Sequence, residues 1–207
     1  EGVRSQLFSG TAIGGAILTA GVGLMVLLWA NTPLFLKSAI FRTQRPGDTL
    51  IAYKEEVDAT VTTLKDDEGM HRLYVDTNQA ADASRWDSPS HRVIAHLPLL
   101  LHPNPKRALV VGFGMGVTSY SITQHNVRMD AVELSKGVID AARKHFSDVN
   151  QNVLDNPLFN YTINDGRNYI LMTQNRYDMI STGIIHPLVS SGSSNIYTAD
   201  FYRLCKR

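Results

Sequence analysis

Arg107-Ala-Leu-Val-Val-Gly-Phe-Gly-Met-Gly-Val117 decides the fold. Its apolar run reads as a buried strand, its three alternating glycines as a turn, and Val117 as the opening of a helix. Val132-Glu133 closes the next apolar run, with Glu133 21 positions after Gly112, and Asp165-Gly166 closes a third. This is the layout of a nucleoside pocket in a doubly wound α/β domain. Gly112, Gly114 and Gly116 allow a ligand to approach backbone where side chains would block it. A carboxylate at Glu133 suits two ribose hydroxyls. A glycine turn also occurs in plain strand–helix packing, so the acid and the second Asp-Gly pair carry the nucleoside reading.

Working outward, four strand–helix units are predicted. The strands lie near Ala108–Gly112, Arg128–Glu133, Phe159–Ile163 and Tyr177–Thr182. The helices lie near Val117–Gln124, Ser135–Phe146, Arg167–Thr173 and Thr198–Lys206. Such alternation argues for a parallel sheet covered by helices on both faces. With four strands the sheet ends on an open apolar edge, incomplete at its C-terminal side. Upstream, Ser88-Pro-Ser-His91 carries cap chemistry for a helix that Pro98, Pro103 and Pro105 are expected to end. Before it, Thr49–Leu64 alternates, Lys65-Asp-Asp-Glu-Gly69 turns and Arg72–Asp76 returns, which predicts a small β-hairpin unit.

From Ser5 through Leu36 there is no charged residue. A spanning helix needs roughly 20 apolar residues, so this stretch predicts one transmembrane helix with Trp29 at the interface. Gly10 and Gly14 are four apart, as are Ala12, Ala16 and Ala20, a spacing that suits close packing with partner helices in lipid. Lys37, Arg42 and Arg45 follow the stretch, which predicts contact with membrane lipid and a soluble domain on the cytoplasmic side. The single cysteine, Cys205, excludes an internal disulfide. A formal net charge of +1 gives no electrostatic footprint for nucleic acid. The seven histidines are scattered, and no cluster has metal-ligand spacing. The expected domains are therefore 1–47 (transmembrane helix and juxtamembrane linker), 48–87 (β-hairpin domain) and 88–207 (truncated nucleoside-binding domain).

The ordered set Val75-Asp-Thr-Asn-Gln79, His91, His96-Leu-Pro-Leu99 and His102-Pro-Asn-Pro-Lys106 resembles the spermidine synthases, the polyamine aminopropyltransferases. So do the glycine turn, Val132-Glu133, Val138-Ile-Asp140, Arg143-Lys144, Asp165-Gly166 and Tyr177-Asp178. The resemblance covers roughly residues 50–205 and is nearest the branch fused to membrane helices. It implies a Rossmann-like sheet of the class I methyltransferase type, and binding of decarboxylated S-adenosylmethionine or S-adenosylmethionine without a metal. It implies that Glu133 binds ribose, Asp165 faces the adenine amino group, Gly166 shapes that wall and Gln79 lies on the nucleoside side. Thr77 replaces a family glycine, which loosens the correspondence at Gln79.

The reaction also needs carboxylates to hold and deprotonate an ammonium nucleophile. Where the family places them, this chain has Met115, Gly183 and His186. Histidine as a residue type titrates near neutrality, so His186 suits a general base, or simply packs beside Pro187. Glu55 and Glu56 reach toward an amine or form a solvated face. Asp178 supports the sheet, and Val189–Asn195 is either a gating loop or a surface connection. Two functions stay open: a membrane-anchored spermidine synthase-like protein that binds a sulfonium nucleoside beside a degenerate amine site, and a non-catalytic structural subunit of a membrane complex. A methyltransferase fits less well, because Val110 stands where an acid is common.

Overall fold

The computed structural model describes residues 14, 15, 17–28, 45–83, 88–183 and 193–206. The chain divides into two units, Glu1–Phe41 and Arg42–Arg207. In the first, 17–28 is helical. Among the described residues no helix is long and apolar enough to cross a membrane. This corrects the single-span membrane placement: freedom from charge is not sustained apolarity, and Ser5, Gln6, Ser9, Thr11, Thr19, Asn31 and Thr32 all fall within the run. Gly10, Ala12, Ala16, Trp29, Lys37 and Arg42 lie outside the described residues.

The second unit begins with four antiparallel strands in the order β1-β2-β3-β4: β1 (Thr49–Glu55), β2 (Thr60–Lys65), β3 (His71–Val75) and β4 (Asn78–Asp82). The expected continuous alternation from Thr49 to Leu64 is broken at 56–59, where Glu56 N donates to Ala59 O at 2.9 Å and Val57 is fully exposed. β4 was not legible, since Asn78-Gln-Ala-Ala-Asp82 lacks β-branched and aromatic residues. It forms because Asp76 takes a left-handed φ of 56° and folds the chain back onto β3. Val61, Leu73 and Ala81 on one face enter a core with Met115, Val117, Val138 and Phe146. Behind Pro46-Gly47, Asp48 is buried and pairs with the buried guanidinium of Arg72.

Helix α1 (Ser88–Leu101) runs through Pro98 instead of stopping there. Proline forfeits one helical hydrogen bond, but Ala95 and Leu99 are buried in the core and hold the last turn in place. The remaining elements alternate as the sequence predicts: β5 (Arg107–Val111), α2 (Val117–Thr123), β6 (Arg128–Glu133), α3 (Lys136–His145), β7 (Phe159–Ile163), α4 (Gly166–Met172), β8 (Met179–Ser181) and α5 (Ala199–Cys205). The second sheet is parallel, in the order β7-β6-β5-β8. Its strand order reverses between β5 and β8, so a switch point opens at their carboxyl ends.

Candidate functional site

The carboxyl edge of the parallel sheet gathers most of the predicted residues. Gly112, Gly114 and Gly116 leave β5 with φ of 86°, 57° and 88°. A side chain at Gly116 would meet the Phe113 ring at 2.7 Å, so the turn closes only with glycine there. At Gly114 the same position faces open space, and this is where backbone is accessible to a ligand.

Glu133 ends β6 beside this turn and is 9% exposed. Its Oε2 accepts from Phe113 N at 2.8 Å and its Oε1 from Ser135 N at 3.1 Å. Burial raises its carboxyl above the ordinary value, against the opposing pull of the backbone amides of Ser135, Phe113, Leu134 and Gly114. With an amide bonded to each carboxylate oxygen, Glu133 shapes the turn from inside. Asn164 N donates to Glu133 O at 3.0 Å and joins the end of β7 to that of β6. Asp165 follows directly, exposed, and caps α4 by accepting from Asn168 N at 2.8 Å.

Two of the expected site residues also have structural contacts of their own. A Cβ at Gly166 would sit 2.3 Å from Val111 Cγ1, so close packing of α4 on β5 demands glycine there, whatever binds nearby. Gln79 is exposed on β4, and its Oε1 accepts from Tyr74 OH at 3.4 Å, which ties it to its own sheet rather than to the glycine turn.

Met115, Gly183 and His186, the positions where the resemblance leads one to expect carboxylates, differ sharply. Met115 is 1% exposed, with its side chain in the core against the antiparallel sheet. Gly183 has φ 61° and lies against Gly112 O and Val111 O, each 3.6 Å from where its Cβ would be. His186 lies outside the described residues, as do 189–192 of the loop. Asp178 is at the opposite end of the sheet: its Oδ2 accepts from Lys106 N at 2.7 Å and Arg107 N at 3.0 Å, and these amides hold its carboxyl below the usual range.

A model of the spermine/spermidine synthase domain matches residues 88–207. The chain belongs to the spermine/spermidine synthase family. The polyamine aminopropyltransferase of Pectobacterium carotovorum is 27% identical over 159 residues, 76% of this chain and 55% of the relative. That of Nitrosomonas europaea is 34% identical over 119 residues, 56% of this chain and 36% of the relative. A spermidine synthase solved with the transition state analogue AdoDATO superposes with a TM-score of 0.69 at 25% identity, covering 76% of this chain and 53% of that one. The Thermotoga maritima spermidine synthase, with a TM-score of 0.66 at 24% identity over 76% of this chain and 52% of its own, shares the fold. The chain spans about half the length of the curated relatives it matches. The narrower assignment to a membrane-fused branch rested on a span that the described residues do not contain.

Proposed function

We propose that this spermidine synthase-like domain binds a sulfonium nucleoside of the S-adenosylmethionine type, decarboxylated or not, at the carboxyl edge of its parallel sheet. The observation that carries this reading is the juxtaposition of an open glycine turn with a buried carboxylate at the sheet's switch point. Glu133 receives the ribose hydroxyls, and Asp165 stands at the end of the neighbouring strand for the adenine amino group. Gly112, Gly114 and Gly116 supply the backbone wall. The structural neighbour crystallised with AdoDATO supports the ligand class. The amine side is degenerate in this reading. Met115 is committed to the core and Gly183 has no side chain, which leaves His186 as the remaining candidate base and ordinary aminopropyl transfer unsupported.

Calorimetry with S-adenosylmethionine, its decarboxylated form and methylthioadenosine tests the reading. Heat with at least one is expected, and no heat with any of them on folded protein rules out the pocket and leaves a scaffold role. The pH dependence has a defined sign. Hydroxyl donors need the ionised carboxylate, and burial lifts the Glu133 carboxyl above its ordinary 4.5. Affinity should therefore be weak at low pH, rise as pH passes through that raised value, and then level off. The same shift makes this group's contribution to folding stability fall with rising pH over that window, because the folded state keeps the proton longer than the unfolded chain. Glu133→Gln should weaken binding by about tenfold or more and flatten the pH profile.

A further inference from the structure

Glu56 leaves β1 at the start of the turn to β2, yet its carboxylate is spent on a distant element. Its Oε2 accepts from Ser135 Oγ and from Gly137 N, both at 2.7 Å, and Lys54 Nζ lies 2.7 Å from its Oε1. Ser135 occupies the N-cap of α3 but makes no cap bond with its own side chain, so Glu56 does that work from the other sheet. The close approach depends on Gly137, where a Cβ would stand 3.0 Å from both Glu56 Oε2 and Val61 Cγ2. Ser135 is 2% exposed, and its amide is one of the donors bonded to the Glu133 carboxylate. Neither a solvated face nor a reach toward an amine, the two uses the sequence offers for Glu56, describes this arrangement.

We propose that Glu56 is a positioning residue for the nucleoside pocket: it locks the turn from Leu134 to Gly137, and the locked Ser135 amide holds Glu133 in place for ribose. The inference rests on the reading of Glu133 given under Proposed function. It makes the antiparallel sheet a working part of the pocket in the parallel one. Burial alone would raise the Glu56 carboxyl, but Lys54, Ser135 and the Gly137 amide together keep it below its ordinary value, so it stays charged wherever the pocket can bind. The other charged groups around it are Asp140 of α3, 2.9 Å from Lys54 Nζ, and Lys136, which pairs with Asp140 at 2.7 Å.

The test uses the full chain and compares wild type, Glu56→Gln and Glu56→Ala from roughly pH 5 to 8. Calorimetry with methylthioadenosine and S-adenosylmethionine gives Kd, and the Glu133 carboxyl carbon is titrated by NMR in nucleoside-free protein. Glu56→Ala should raise Kd about tenfold and move the Glu133 midpoint upward, since a loosened Ser135 amide favours the charged form less. Glu56→Gln keeps an acceptor oxygen and should stay within about twofold. Unchanged Kd and midpoint in folded Glu56→Ala would overturn the proposal. So would a raised Kd with an unmoved midpoint, which is the signature of a merely structural residue. If wild type takes up no nucleoside, the pocket reading fails, and the NMR midpoint still decides the coupling by itself.

Discussion

Met115→Asp should lower the melting temperature by more than roughly 10 °C, whereas Gly183→Asp should fold nearly as well as wild type. Met115 is 1% exposed among Val61, Leu73, Ala81, Val117, Val138 and Phe146. Removing its side chain forfeits about 1.5–3 kcal/mol of apolar burial. Placing an unpaired carboxylate there adds several kcal/mol, and the whole approaches the ~5–15 kcal/mol that keeps a domain folded. A melting temperature within about 3 °C of wild type would show that the side chain escapes to solvent and that the core placement is wrong. At Gly183 a Cβ finds ordinary contact distances, and a φ of 61° is a region that aspartate enters for about 1–2 kcal/mol. Its carboxylate would stand beside the glycine turn, next to two backbone carbonyl oxygens, where an ammonium group is welcome. Calorimetry should then detect binding of a short diamine by Gly183→Asp that wild type lacks. Equal heat from both proteins would show that a carboxylate at this position does not create a site for an amine.

Asp48→Ala should cost about 3–5 kcal/mol, or roughly 6–20 °C in melting temperature. The Asp48 and Arg72 side chains are each 1% exposed and paired, while Asp66 Oδ2 stands 4.0 Å from Arg72. Among the described residues Arg72 Nε and Nη1 have no hydrogen-bond partner. The Asp48 contact is therefore the main compensation for a guanidinium held out of water, and removing it leaves the charge with Tyr74 and the more distant Asp66. The double variant Asp48→Ala with Arg72→Met should recover most of the loss, because an apolar chain of similar reach needs no counter-charge. If the double variant is as unstable as the single one, the cost comes from the turn that Asp48 closes with Arg45 N at 2.8 Å instead.

Much of the parallel half was legible because its signals are local. Strand β6 spans Arg128–Glu133 and β7 spans Phe159–Ile163, as the apolar runs indicated. The glycine turn and Glu133 were legible for the same reason, since a turn and a strand end are written within a few neighbouring residues. β4 was not, because its five residues become a strand only through pairing with β3. Pro98 misled for a related reason: its local penalty is real, but packing of Ala95 and Leu99 outweighs it. The uncharged stretch 5–36 misled most, since freedom from charge is not the same as the apolarity a spanning helix needs.

Sequence alone determined that this chain builds a glycine turn, an acid at the next strand end and an alternating α/β order, since each depends on residues close together along the chain. Only tertiary structure decided which strands are neighbours, and hence that Gly183 faces Gly112 across a switch point. It also decided that Met115 is core, that Asp48 answers Arg72, and that Glu56 reaches 81 residues along the chain to cap α3. Those outcomes turn on the burial of charge and volume between segments far apart in sequence, a cost that exists only once the chain has closed on itself.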